Sequence, residues 1–277
     1  MRRNRIMVWV AAALGIVCWI IWANTAPVVS EYVICSEKIH ENFSGFRIAQ
    51  ISDLHNDLFG KGNGKLLEQL RTIRPDIIVI TGDLVDSYDT QISVAVDFAE
   101  EAGQIAPVYY VTGNHESRLS QYPQMCSQLQ DVGVEVLEDR QIHLERGGAF
   151  LTVLGLNDPG FRQNEKDCGV ILREMMQSAS GFTGLLTHRP ELLDMYAENG
   201  PDLVLAGHAH GGQFRLPLLG GVYAPNQGFF PKYDSGQYIS GETAMIVSRG
   251  LGNSSFPFRI NNRPEIVVVE LKSSEND

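Results

Sequence analysis

From residue 47 onward the chain alternates short apolar runs with stretches whose apolar residues recur at helical spacing. Runs at 47–52, 77–81, 108–112, 151–155, 184–187 and 203–206 predict strands, and 243–248 and 265–271 repeat the pattern near the C-terminus. The uninterrupted Ile77-Ile78-Val79-Ile80 suits a strand covered on both faces. Leu66, Leu67, Leu70 and Ile73 stand at the spacing of one helical face, as do Ile92, Val96 and Ala99. Strand, helix and strand in succession imply an α/β layered architecture with helices outside the sheets. In such layers ligands gather beyond the carboxyl ends of the strands, where loops converge.

Residues 6–23 follow another pattern: uncharged, predominantly apolar, without a polar face, and preceded by Arg2, Arg3 and Arg5. At about 1.5 Å of rise per residue such a run is just long enough to cross most of a bilayer's hydrocarbon core. Residues 1–26 are therefore expected to be a membrane anchor or a secretion signal. The run exceeds the usual signal length and Ala26 precedes Pro27, which favours an uncleaved anchor. The paired arginines hint at twin-arginine export, although Arg5 stands where that signal would turn apolar. Arginines before the run, against Glu31 and Glu37 after it, predict a single-pass protein of the cell membrane, N-terminus cytoplasmic and catalytic domain outside. Residues 27–43 read as a linker and 44–277 as one catalytic domain.

Composition changes this picture little. With 44% hydrophobic and 20% charged residues, no stretch has the bias of a disordered segment. A net charge of -11 argues against nonspecific binding to nucleic acid, whose phosphate backbone such a surface repels. Cys18, Cys35, Cys126 and Cys168 lack Cys-x-x-Cys spacing and are expected to be buried free thiols.

Candidate chemistry stands at the ends of five predicted strands. Asp53-Leu54-His55, Gly82-Asp83-Leu84-Val85-Asp86, Gly113-Asn114-His115-Glu116, Thr187-His188 and Gly207-His208-Ala209-His210 hold five of the seven histidines. Alone, Asp-x-His is most simply a cap and Gly-Asp a turn. Together the blocks supply carboxylate, imidazole and one amide oxygen, the donor set of a hydrolase in which two cations about 3.5 to 4 Å apart clamp a displacement. Asp83, beside Gly82, is the natural bridging carboxylate, Asn114 offers a neutral oxygen, and His115 a proton. The alternating His208 and His210 are the most specific signal, because two imidazoles after a tight turn are hard to satisfy in a core.

In this order the blocks resemble the calcineurin-like metallophosphoesterase superfamily, whose pattern runs Asp-x-His, Gly-Asp-x-x-Asp, Gly-Asn-His-Glu, His, Gly-His-x-His, over about 48–210. The resemblance implies a four-layer sandwich of two mixed β-sheets flanked by helices. It implies two divalent metal ions, manganese first with iron or zinc as alternatives. Asp53, His55 and His210 would hold one, Asn114, His188 and His208 the other, with Asp83 between them. His115 would be the proton donor or transition-state stabiliser, and Asp86 the carboxylate that orients it. Gly211-Gly212-Gln213-Phe214-Arg215-Leu216-Pro217, the Arg249-Gly250-Leu251-Gly252 segment and Arg263-Pro264 look like the membrane-associated branch of bacterial phosphodiesterases that includes a UDP-2,3-diacylglucosamine pyrophosphatase.

The expected activity is hydrolysis of a phosphodiester or pyrophosphate bond by direct attack of a hydroxide held between the cations, with lipid-linked phosphoesters among the substrates. A catalytically silent metal-binding scaffold is the alternative. Arg249 is expected either beside the phosphate or in an ion pair. The apolar residues Phe214, Leu216, Leu218, Leu219, Phe229, Phe230, Phe256 and Phe258 are expected in the core, with a membrane-facing lip or acyl groove as the functional alternative.

Overall fold

The computed structural model describes residues 2–254 and 256–274. In chain order its elements are α1 (Arg2–Thr25), β1 (Val28–Ser36), β2 (Phe46–Ile51), α2 (Gly64–Ile73), β3 (Ile77–Thr81), α3 (Ile92–Gly103), β4 (Val108–Val111), α4 (Tyr122–Asp131) and β5 (Glu135–Val136). There follow β6 (Arg140–Arg146), β7 (Ala149–Gly155), α5 (Lys166–Ser178), β8 (Thr183–Leu186), α6 (Leu193–Asn199) and β9 (Leu203–Ala206). Four two-residue strands come next: β10 (Arg215–Leu216), β11 (Gly220–Gly221), β12 (Tyr223–Ala224) and β13 (Gly228–Phe229). The chain ends with β14 (Gly236–Ser240), β15 (Thr243–Val247) and β16 (Glu265–Ser273).

Two six-stranded mixed sheets carry the fold, ordered β1-β16-β2-β3-β4-β5 and β14-β15-β9-β8-β7-β6. The pleat explains why the apolar run in β3 has no polar face. Ile77 and Val79 enter the core between the sheets with Val153, Leu205 and Ile246, while Ile78 and Ile80 lie under the helices with Leu66, Leu70 and Phe98. The second sheet does the same, placing Leu154, Leu185 and Val204 against Leu172, Met175 and Tyr196 of α5 and α6. The layers are thus helices, sheet, sheet, helices, the sandwich expected.

Three expectations are corrected. The stretch read as a linker contains β1, which pairs in parallel with β16 from Val28 to Ser36. Its inward and outward residues alternate because it is an edge strand with one solvated face. That alternation turns Cys35 outward, and Cys18 is exposed too, so only Cys126 and Cys168 are buried thiols. Third, Leu216, Leu218, Leu219, Phe229, Phe230, Phe256 and Phe258 are exposed rather than core. They sit on short hairpins and loops outside both sheets, where no layer covers them.

The last turn of α1 docks on the domain. Asn24 Oδ1 accepts the Arg259 amide at 2.7 Å and Asn24 Nδ2 donates to the Arg259 carbonyl at 3.1 Å. The Arg263 guanidinium donates twice to the Ala26 carbonyl and lies 4.3 Å from the centre of the Trp22 ring. Among the described residues no helix is long and apolar enough to cross a membrane. The anchor expected over 6–23 falls partly on residues 6 and 8, whose side chains lie outside the described residues.

Candidate metal centre

β2, β3 and β4 of one sheet and β8 and β9 of the other end on a common rim, and every predicted ligand leaves the chain just beyond one of them. Asp53, His55, Asp83, Asn114, His188, His208 and His210 are all buried. Asp53, His55 and His210 form one group of donor atoms, and Asp83, His188 and His208 a second. In the first, His55 Nε2 lies 3.2 Å from His210 Nε2, which lies 3.4 Å from Asp53 Oδ1. Asp83 Oδ2 lies between the groups, 3.1 Å from His188 Nε2 and 3.7 Å from His55 Nε2.

Backbone geometry holds this convergence. Asp53, His55, Asp83, His208 and His210 all have left-handed φ, between 48° and 67°. For residues with a Cβ that region is sparsely populated, although Asp and His tolerate it better than most. The loops also pass within contact of each other: a Cβ on Gly113 would stand 2.2 Å from Asp83 Oδ1, so only glycine fits there. Glu116 staples the same loops, its carboxylate accepting the amides of Asp83 (2.9 Å), Leu84 (2.8 Å) and Gly113 (2.8 Å).

The donor set fits a pair of divalent cations. Asn114 Oδ1 is buried without a hydrogen-bond partner, which is costly unless something else satisfies it. His188 Nδ1 faces the Thr81 carbonyl at 2.7 Å and donates to it, which turns Nε2 toward Asp83 Oδ2 as the nitrogen a cation would take once its proton is displaced. His208 is arranged the opposite way. Arg189 Nη1 donates to Asn226 Oδ1 at 2.7 Å, and the same oxygen lies 3.0 Å from His208 Nε2, which must therefore donate and leave Nδ1 free as a ligand.

His115 lines the cavity of about 210 Å³ beside this cluster, with Asp83, Asn114, His208 and His210. Its Nδ1 accepts the Ser87 amide at 3.0 Å, so the neutral ring carries its proton on Nε2, near Ser254 Oγ at 3.3 Å. Asp86, expected to orient His115, stands 3.7 Å from Nδ1, too far for a hydrogen bond. The orienting contact comes instead from the next residue's amide.

Comparison with known proteins agrees with this geometry. Residues 46–212 match the family model described as calcineurin-like phosphoesterase. The chain belongs to this family. An uncharacterized metallophosphoesterase of Bacillus subtilis, YkuE, is 30% identical over 88% of this chain and 85% of its own length. The phosphodiesterase YaeI of Escherichia coli is 26% identical over 83% of this chain and 84% of its own. Among solved structures, TT1561 of Thermus thermophilus shares the fold, with a TM-score of 0.53 at 13% identity over 75% of this chain and 91% of that one. The chain is thus a hydrolase of phosphoester bonds from a family that uses divalent metal ions.

The electrostatics of this phosphoesterase suit a cation site. Burial pushes Asp53 up to about 6. Burial also drives His55 down to about 4, and His208 and His210 well below the usual range, so all three are neutral lone-pair donors at pH 7. His188 is the exception: burial would depress it, but the charge of Asp83 and the hydrogen bond to it raise it to about 10. Burial would likewise raise Asp83, yet the His188 charge holds it well below the ordinary carboxylate range. A proton on His188 thus occupies the place where a cation's charge would go.

Several supporting residues escaped the sequence reading. Arg189 forms a buried two-pronged ion pair with Asp158, and its Nη1 lies 3.1 Å from His208 Nε2. Its position directly after His188 was the only signal available. Arg259, 1% exposed, donates to the carbonyls of Arg249 (2.7 Å) and Gly252 (2.5 Å) and places Nη2 3.2 Å from His210 Nδ1. Arg249 takes the ion-pair alternative, bonding Glu265 Oε1 at 2.8 Å.

Proposed function

We propose that this phosphoesterase hydrolyses a phosphodiester or pyrophosphate bond with two divalent cations bound, manganese first among them, and attacks phosphorus directly without a phosphorylated side chain. The observation that carries the reading is Asp83 Oδ2, flanked at 3.1 and 3.7 Å by nitrogens of His188 and His55, one from each donor group. Asp53, His55 and His210 would hold one ion, Asn114, His188 and His208 the other, and Asp83 both. Bound cations supply charge neutralisation at the phosphoryl oxygens and lower the pKa of a water toward neutrality. The chain's own contribution is orientation and a hydrogen bond. His115 presents Nε2–H to the cavity, placed to donate a hydrogen bond that stabilises the charge developing on the leaving oxygen as its bond to phosphorus breaks. The Ser87 amide keeps that proton on Nε2, because a donor facing Nδ1 excludes the other tautomer.

The reading extends to location. α1 exposes Met7, Trp9, Val10, Leu14, Ile16 and Val17, a surface suited to lipid and not to water, which supports attachment to the cell membrane, while the arginines before the run are what favour a catalytic domain outside the cytoplasm. Attachment brings lipid-linked phosphoesters within reach and keeps them among the candidate substrates. The test is a screen of the full chain with added manganese against phosphomonoesters, diesters and pyrophosphates, lipid-linked nucleotides included, with products identified by mass spectrometry. Asp83→Asn should lose bound metal and turnover together. Turnover that survives in Asp83→Asn contradicts the dinuclear reading, and metal binding without any hydrolysis favours the silent scaffold.

A further inference from the structure

The cavity beside the metal centre has thirteen lining residues, and Arg118 alone among them is a lysine or arginine. It is exposed, and its side chain makes no hydrogen bond or ion pair with any described residue. In a chain of net charge -11, an arginine at the mouth of the site with no carboxylate partner calls for a reason. The other arginines near the site are engaged, Arg189 on Asp158, Arg249 on Glu265 and Arg259 on the carbonyls of Arg249 and Gly252.

Its placement is set by the short 3₁₀ turn Glu116–Arg118, whose first residue follows His115. The Arg118 amide donates to the His115 carbonyl at 3.1 Å. With three residues per turn, side chains three apart eclipse one another. Arg118 therefore stands on the same face as His115, and the two line one cavity, which places the guanidinium beside the group that meets the leaving oxygen. Two bound cations would neutralise the phosphoryl oxygens at the reacting phosphorus, which leaves the charge of Arg118 for something else.

We propose that Arg118 forms a leaving-group subsite that binds a second negative charge, a phosphoryl or carboxylate group, carried by the departing half of the substrate. The proposal rests on the phosphoesterase reading and narrows it: preferred substrates depart with an anion. Guanidinium and oxyanion make charge-assisted, two-pronged hydrogen bonds, which give the subsite its strength. Tyr88, also lining the cavity and with its ring 5.9 Å from that of His115, forms the adjoining wall.

The test uses the full manganese-loaded chain and three substrates: bis(4-nitrophenyl) phosphate, a methyl phosphodiester of 5-hydroxy-2-nitrobenzoate, and diadenosine pyrophosphate. The first departs without a second charge, the second with a carboxylate and the third with a phosphoryl group. In Arg118→Gln, kcat/KM for either anionic-leaving substrate relative to bis(4-nitrophenyl) phosphate should fall about 10- to 100-fold, the worth of one hydrogen bond between charged groups. Most of the change should appear in KM, and Arg118→Lys should recover part of it. A fall confined to the pyrophosphate assigns the subsite to phosphoryl groups, and one confined to the carboxylate assigns it to carboxylates. A structural role would lower all three substrates alike, so unmoved ratios overturn the subsite while leaving the phosphoesterase reading intact. No hydrolysis of any substrate by the unaltered chain removes both.

Discussion

Removing the Asp158 carboxylate should damage both the fold and the metal centre, and the two effects can be separated. The Asp158 side chain is 0% exposed and that of Arg189 11%, joined through Nε and Nη2 of the guanidinium. Asp158→Ala leaves the cation buried without its partner, which costs about 3 to 5 kcal/mol. At roughly 2 to 4 °C per kcal/mol for a domain of this size, Tm should drop by about 6 to 20 °C. The freed Arg189 also loses its hold on Asn226, and through it on His208, and loss of such an outer contact typically weakens metal affinity about 10- to 100-fold. Urea unfolding in a chelator measures the first effect, and manganese titration of the folded variant measures the second. The double variant Asp158→Ala with Arg189→Met removes both charges, so it should regain most of the stability but none of the affinity. A single variant within about 1 kcal/mol of the unaltered chain, or a double variant no more stable than the single, refutes the argument that this buried pair supports the site.

Glu116→Gln replaces one of two oxygens that together accept the Asp83, Leu84 and Gly113 amides. It should cost about 1 to 3 kcal/mol in urea unfolding and weaken manganese binding measured by calorimetry, because the Asp83 loop loses its staple. Manganese at about 100 times its Kd should stabilise the chain by about 2.7 kcal/mol, raising Tm by roughly 5 to 11 °C in a thermal scan; Asp83→Asn should show almost none of that rise. All three tryptophans, Trp9, Trp19 and Trp22, lie in α1, so brominated lipid in phosphatidylcholine vesicles should quench the native fluorescence if α1 enters the bilayer, and unquenched emission counts against membrane attachment. Leu218→Trp with the native tryptophans changed to Phe asks the same of the exposed hairpin lip.

Much of the centre was legible because its ligands cluster in short blocks directly after apolar runs, and strand ends are where an α/β layer exposes its loops. Ile77 to Ile80 gave away a doubly covered strand, yet nothing along the chain shows that β8 and β9 belong to a different sheet from β2, β3 and β4. That division depends on pairing between distant segments. Edge strands hid for a related reason: β1, β6 and β14 each keep one solvated face, so their polar residues dilute the apolar signal. Asn226 lies far along the chain from His208's own motif and in a loop with left-handed φ, and only the folded chain brings its oxygen to the imidazole. The tail aromatics misled for the opposite reason, since hydrophobicity alone does not say whether a layer exists to cover it.

The centre is also the least comfortable part of the molecule, and this bears on what cations do beyond chemistry. Five of the seven candidate ligands hold left-handed backbone, each costing about 1 to 3 kcal/mol where a Cβ is present. Asn114 Oδ1 is buried without a partner, and Asp53 and Asp83 lie close enough for each to disfavour the other's charge. None of these features stabilises the metal-free fold, and all of them follow from bringing lone pairs from five strand ends to two points. Bound cations would satisfy that oxygen and remove the carboxylate repulsion at once, so binding and folding are linked at this site. The surrounding contacts that hold the loops without metal, Glu116 on three amides, Asp158 on Arg189 and Arg259 on two carbonyls, are therefore the positions where substitution should most sharply separate a folded protein from a metal-competent one.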